Sequence, residues 1–159
     1  MNFLETLKVF SSYLGLFHTC CAVLAMIFGA VVVFKTKGTN LHRKIGYAYV
    51  TSMLLMNLSG FGIYNFGGLS LFHAFAFISL FTLLLGIIPA IKRSKDWYKK
   101  HFYFMSWSVV GLYCAFWAEV GVRFFDMQYF WWVVMLATML TGLVGMTVIN
   151  KKAKALFVN

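Results

Sequence analysis

The chain has 159 residues, 62% hydrophobic, 19% aromatic and 11% charged, with a mean hydropathy of +0.81. A soluble domain carries about a quarter charged residues and could not bury so much apolar surface in one core, so a soluble fold is excluded and the bilayer is the solvent. The net charge of +10 comes from 14 Lys and Arg, but these fall between long apolar runs, which suits lipid headgroups and topology signals and argues against nucleic acid.

In chain order, residues 1–10 come first: Phe3, Leu4, Leu7 and Phe10 beside Glu5 and Lys8 read as a short amphipathic lead-in. Five runs then reach the roughly 20 apolar residues that span a bilayer, at about 11–34, 45–68, 69–91, 102–125 and 128–149. They are continuous rather than alternating, so they are helices. Gly67-Gly68 separates the second from the third, Pro89 kinks the last turn of the third, and Asp126 marks the turn before the fifth. The expected fold is an all-α integral membrane protein, a single transmembrane domain over 1–159. Helices one to four form an up-down bundle, and the fifth, with no ionisable residue in its span, packs at the periphery. The first apolar run is too long for a cleavable signal peptide and is followed by a basic stop. Cys20, Cys21 and Cys114 lie in apolar stretches as small fillers. Neighbouring Cys20 and Cys21 point about 100° apart, which argues against a bond between them.

Orientation follows from the cations. Lys35, Lys37, Arg43, Lys44, Lys92, Arg93, Lys95, Lys99, Lys100, Lys151, Lys152 and Lys154 fall on one side, and only Lys8 and Arg123 on the other. That asymmetry puts the amino terminus outside and the carboxyl terminus in the cytoplasm. Trp131 and Trp132 then join the outer aromatic belt, and Trp97, Tyr98 and Tyr103 the inner one.

The four His sort by depth. His18 precedes Lys35 by about 25 Å of helix and His73 precedes Lys92 by about 28 Å, so both lie near the outer edge of the hydrocarbon. His42 and His101 open helices two and four at the cytoplasmic edge. Alternate helices of an up-down bundle project towards each other, so each pair has the spacing to supply both axial ligands of a metal in a flat macrocycle. Glu119 lies five turns after His101 on the same face, at the depth of His18 and His73, with Gly60 of helix two opposite and Arg123 one turn on as its partner. The His18 face carries Gly15, Cys21, Ala22, Ala25 and Gly29, which allow close packing or leave room for a cofactor. Plainer readings stand beside these. His42 next to Arg43 and Lys44 is ordinary at an interface, a lone His or Glu can simply bond across helices, Glu119 with Arg123 can be a structural ion pair, and Met105 can be filler.

The order of His18, Gly38-Thr39-x-Leu41-His42-Arg43-x-x-Gly46-Tyr47, His73 and His101-x-x-x-Met105 resembles the bacterial predicted-membrane-protein family called domain of unknown function 2306. The resemblance covers helices one to four and implies a fold, a bacterial inner membrane and candidate ligands, including Gly46 and Met105 as supporting residues, but no activity. Many members have Arg where Phe102 and Glu119 stand here. More distantly, paired His on alternate helices is similar to the four-helix core of dihaem b-type cytochromes such as cytochrome b561, an architectural likeness only.

Three functions follow as expectations. The first is electron transfer across the bilayer through two haem b groups, His18 with His73 outside and His42 with His101 inside, serving a quinone or redox-protein partner. The second is a zinc or copper site of His18, His73 and Glu119 in an intramembrane hydrolase or metal-handling protein. The third is a non-enzymatic small subunit or proton relay, in a homo-oligomer or a larger complex.

Overall fold

Without water to satisfy peptide groups, an apolar chain in lipid closes its backbone hydrogen bonds within helices, and all regular structure among the described residues is helical. The computed structural model describes residues 12–64, 70–124 and 127–157, with only the backbone given for helical residues around Arg123. The amphipathic lead-in at 1–10, Gly67-Gly68 and Asp126 lie outside them. The helices are α1 (Tyr13–Phe34), α2 (Asn40–Gly60), α3 (Leu71–Lys92), α4 (Trp97–Phe124) and α5 (Met127–Phe157). By length and composition α1, α3 and the stretch Gln128–Phe157 of α5 are long and apolar enough to cross a membrane.

Caps set the ends. Ser12 accepts the Gly15 N–H at 3.0 Å and starts α1. At its other end, Lys37 Nζ reaches back to the carbonyls of Val32 (2.9 Å) and Val33 (3.1 Å), where a cation satisfies orphan acceptors and the helix dipole together. Gly38 then turns at φ +81°, in the left-handed region that favours glycine. Thr39 caps α2 by accepting the His42 N–H at 3.1 Å, and Arg43 bonds the Asn40 side chain. Much of the Gly38–Arg43 signature is therefore a device for starting a helix. α3 ends in a Schellman-type turn: Ser94 N–H meets the Pro89 carbonyl at 3.3 Å while Arg93 adopts φ 50°. The guanidinium of Arg93 lies 4.1 Å from the Trp97 ring centroid, a cation–π contact that offsets the left-handed strain.

Several boundaries differ from expectation. α2 runs Asn40–Gly60, not 45–68, because Thr39 caps it before its apolar run begins. It stops where the Gly62 N–H turns back to the Ser59 carbonyl at 3.0 Å. α4 starts at Trp97 and α5 continues to Phe157, so the basic residues at both ends are helical rather than loop.

The chain divides into two compact units, Met1–Leu84 and Leu85–Asn159, with α3 contributing to each. In the first, α1 and α2 form the extensive pairing. Cys21, Ala25, Gly29 and Val32 of α1 are buried, and Tyr49 and Met53 of α2 are fully enclosed. Small residues on α1 let the backbones approach, so packing contacts fill much of the face expected to pack or hold a cofactor. In the second unit, α5 lies along α4. Phe102, Ile149 and Ala153 form a core, and the Phe157 ring sits 5.5–6.2 Å from those of Tyr98, Phe102 and Tyr103. The helix expected at the periphery is thus the main neighbour of α4 within its unit. Exposed Ile27, Ile78, Phe81, Trp132 and Met139 give both units an apolar coat suited to lipid.

Candidate histidine sites

The two ring nitrogens of each His have different partners, and those partners fix where the proton sits. His18 Nδ1 lies 2.9 Å from the Met56 carbonyl oxygen and 3.1 Å from Ser59 Oγ. A carbonyl can only accept, so Nδ1 donates and Nε2 carries the lone pair. Ser59 directs its own hydrogen to the carbonyl of Leu55 (2.8 Å) or Met56 (2.9 Å), which leaves its oxygen able to accept from the ring. Gly60 makes the approach possible: a Cβ there would sit 3.3 Å from His18 Cε1 and 3.6 Å from Nδ1. The pairing of His18 with Gly60 at one depth is as the helical spacing implied.

His101 repeats the pattern in the second unit. Its Nδ1 lies 3.0 Å from the Gly86 carbonyl of α3, so Nδ1 again donates and Nε2 again carries the lone pair. Gly86 is buried, and a Cβ on it would lie 2.8 Å from Met105 Sδ and 3.1 Å from the Met105 backbone nitrogen. The helices meet backbone to backbone here. His101 and Met105, one turn apart on α4, both seat on that glycine. Pro89, three residues on, has no N–H for the Leu85 carbonyl, which loosens α3 beside this contact.

His73 reverses the pattern. It is the third residue of α3, and its Nδ1 accepts the Ser70 backbone N–H at 3.1 Å, with Ser70 Oγ at 3.0 Å. Its own N–H returns to the Ser70 carbonyl at 3.0 Å. This is the return half of a capping box, with imidazole in place of the usual Glu or Gln, while the backbone N–H of His73 goes to the Ser70 carbonyl rather than to its hydroxyl. An Nδ1 that accepts from an amide has no proton, so in the neutral ring Nε2 carries it. His73 is 5% exposed, and Nε2 is buried with no hydrogen-bond partner among the described residues. The Tyr64 ring lies over it at 5.2 Å and 33°.

His42 is half-buried at the third position of α2, where its backbone N–H serves the Thr39 cap. Gly46 faces Val32, whose Cγ2 would be 3.9 Å from an added Cβ, an ordinary contact. Glu119 is half-buried in α4; the Arg123 side chain lies outside the described residues, and with it the expected pair. His18 and His73 belong to the first unit and His101 and Glu119 to the second. Among the described residues no group of three or more His, Cys, Asp or Glu is gathered to hold a metal ion. Cys20, Cys21 and Cys114 are free thiols.

Sequence reasoning passed over Ser59, Ser70, Gly86 and Asn57. Asn57 is 1% exposed, its Nδ2 donates to the Met53 carbonyl at 2.8 Å, and its Oδ1 is buried with no partner among the described residues. A lone Asn in an apolar span was a usable signal. So was Gly86, since a mid-helix glycine is costly without a packing reason.

Compared with known families, residues 15–151 match the family described as predicted membrane protein (DUF2306). No curated protein matches the chain. No solved structure matches it.

Proposed function

The chain belongs to the predicted membrane protein family DUF2306, and from that premise we propose a five-span protein of the bacterial inner membrane that holds haem b through His18 and His101 and carries electrons between its two faces. Five spans, amino terminus outside, accord with the cation asymmetry. α2 and α4, at 21 and 28 residues, are long enough to cross, and Arg43 and Lys44 in one and Lys99 and Lys100 in the other fall in the first turns.

One observation carries the reading: His18 and His101 each donate Nδ1–H to a helix carbonyl. Metal-ligating imidazoles are almost always oriented in this way, which fixes the tautomer and raises the basicity of the other nitrogen. Haem bound at such nitrogens supplies one-electron chemistry. The residues themselves hold and orient: Met56 and Ser59 aim one ring, Gly86 the other, and Gly60 leaves room beside the first.

His73 does not fit the second axial position expected of it. Ligation through Nε2 needs a lone pair there, and the Ser70 N–H places the proton there instead. The same obstacle stands against Nε2 ligation in a zinc or copper trio of His18, His73 and Glu119. Of the expected ligands, His101 keeps its inner candidacy, and the outer centre rests on His18.

The test is a visible spectrum of the detergent-purified protein before and after dithionite. A Soret band with reduced α and β peaks is expected, diminished in His18→Ala and in His101→Ala and retained in His73→Gln. A colourless, metal-free protein rejects the reading; a colourless protein holding about one zinc per chain moves it to the non-haem alternative.

A further inference from the structure

An unsatisfied polar atom in a buried side chain is rare in native proteins, and each instance calls for a physical reason. Among the described residues His73 Nε2 is such an atom, and its chemistry is defined. The Ser70 amide occupies the Nδ1 lone pair, so Nε2 is a donor with no acceptor among the described residues. Leaving a buried donor unmade costs about 1–3 kcal/mol, a cost that Glu, the usual residue at this position of a capping box, would not carry. A cap alone does not account for a histidine here.

A water is a poor occupant. A buried water needs two to four polar partners, and the polar groups bonded to this ring, the Ser70 N–H and Oγ, face its other nitrogen. The surroundings are aromatic instead. Tyr64 lies against the imidazole and is itself 58% exposed. One turn along α3, Phe77 meets Phe61 at 4.6 Å. One buried donor beside flat apolar surface reachable from lipid matches a planar, lipid-soluble molecule with a carbonyl oxygen.

We infer that His73 is the recognition residue of a ligand site at the start of α3, donating Nε2–H to a carbonyl oxygen of a quinone whose ring packs against Tyr64. This deepens the redox reading, on which the choice of a quinone over other planar carbonyl compounds rests. The donor site itself stands on the His73 and Tyr64 geometry. A phospholipid ester carbonyl shares the accepting chemistry but has no ring to stack.

The experiment titrates a short-chain ubiquinone analogue into the protein in nanodiscs of ether-linked phospholipid, which lack ester carbonyls, while following the ¹⁵N resonance of His73 Nε2. A saturable shift is expected. His73→Glu, which can still accept the Ser70 N–H and has no side-chain N–H, should weaken binding at least about tenfold, the factor that one hydrogen bond of about 1.4 kcal/mol sets. Ser70→Ala, which retains the backbone N–H, should stay within about twofold. Equal loss in Ser70→Ala overturns the assignment, because the effect would then be structural. A shift on changing from ether to ester lipid, with none from the quinone, overturns the quinone in favour of a lipid carbonyl. A resonance indifferent to both overturns the site. Should His73→Glu fail to fold, the wild-type resonance decides alone. A colourless protein that still responds to quinone rejects the haem reading and leaves this site intact.

Discussion

The His18 and His101 sites, one in each compact unit, solve the same problem with glycine used in different ways. In the first unit Gly60 yields space to the imidazole itself, and the carbonyl that receives the ring belongs to Met56, one turn away. In the second, Gly86 is both the acceptor and the contact point of two backbones, with Met105 closing over it. One glycine is there for a side chain, the other for the packing of helices. The difference teaches which substitutions strike function and which strike the fold.

The largest effect is therefore expected at Gly86. Gly86→Leu drives a side chain into the Met105 backbone, which cannot rotate away, and should lower stability in detergent by about 3 kcal/mol or more, read by thermal unfolding. At Gly60 the neighbour is a ring that can swing. Gly60→Ala should change stability by under about 1 kcal/mol, since strain and improved helix propensity oppose each other, yet it should displace His18 and weaken the outer cofactor signal. If Gly60→Ala unfolds the protein while Gly86→Leu does not, the comparison fails.

Smaller effects test the helix ends. Thr39→Ala removes the cap of α2 and should cost about 1 kcal/mol without altering the spectrum. That outcome would separate the helix-starting part of the Gly38–Arg43 signature from any ligand role of His42. Arg93→Gly relieves a left-handed residue by about 1–2 kcal/mol while losing a cation–π contact of about 0.5–1 kcal/mol, so its melting temperature should be unchanged or slightly raised. A clear loss of stability there would mean that the Arg93–Trp97 contact anchors the turn more strongly than its exposure implies.

How much of this was legible in the sequence depends on the physical scale of each feature. The helices were legible because lipid leaves the backbone few alternatives. Their ends were less so: hydropathy marks the stretch that lipid tolerates, whereas α2 begins where Thr39 accepts the His42 N–H and stops at the turn after Gly60. The cations of α5 are helical because Phe157 is held by three aromatic rings of α4, a contact no window average registers. Periodicity put His18 against Gly60. It could not separate His18 from His73, two imidazoles expected at similar depth, because the distinction lies in a single bond: Nδ1 to a carbonyl in one, Nδ1 from an amide in the other. Ser70, three residues before His73, was the available hint, and it reads as a capping box only if histidine is admitted at the third position.

Two-bond ¹H–¹⁵N correlation of the imidazoles, in detergent and at a pH where the rings are neutral, measures that distinction directly. His18 and His101 should appear as Nδ1–H tautomers and His73 as Nε2–H. If His73 instead carries its proton on Nδ1, or if His18 and His101 carry theirs on Nε2, the sorting of ligand-ready rings from the capping ring is wrong.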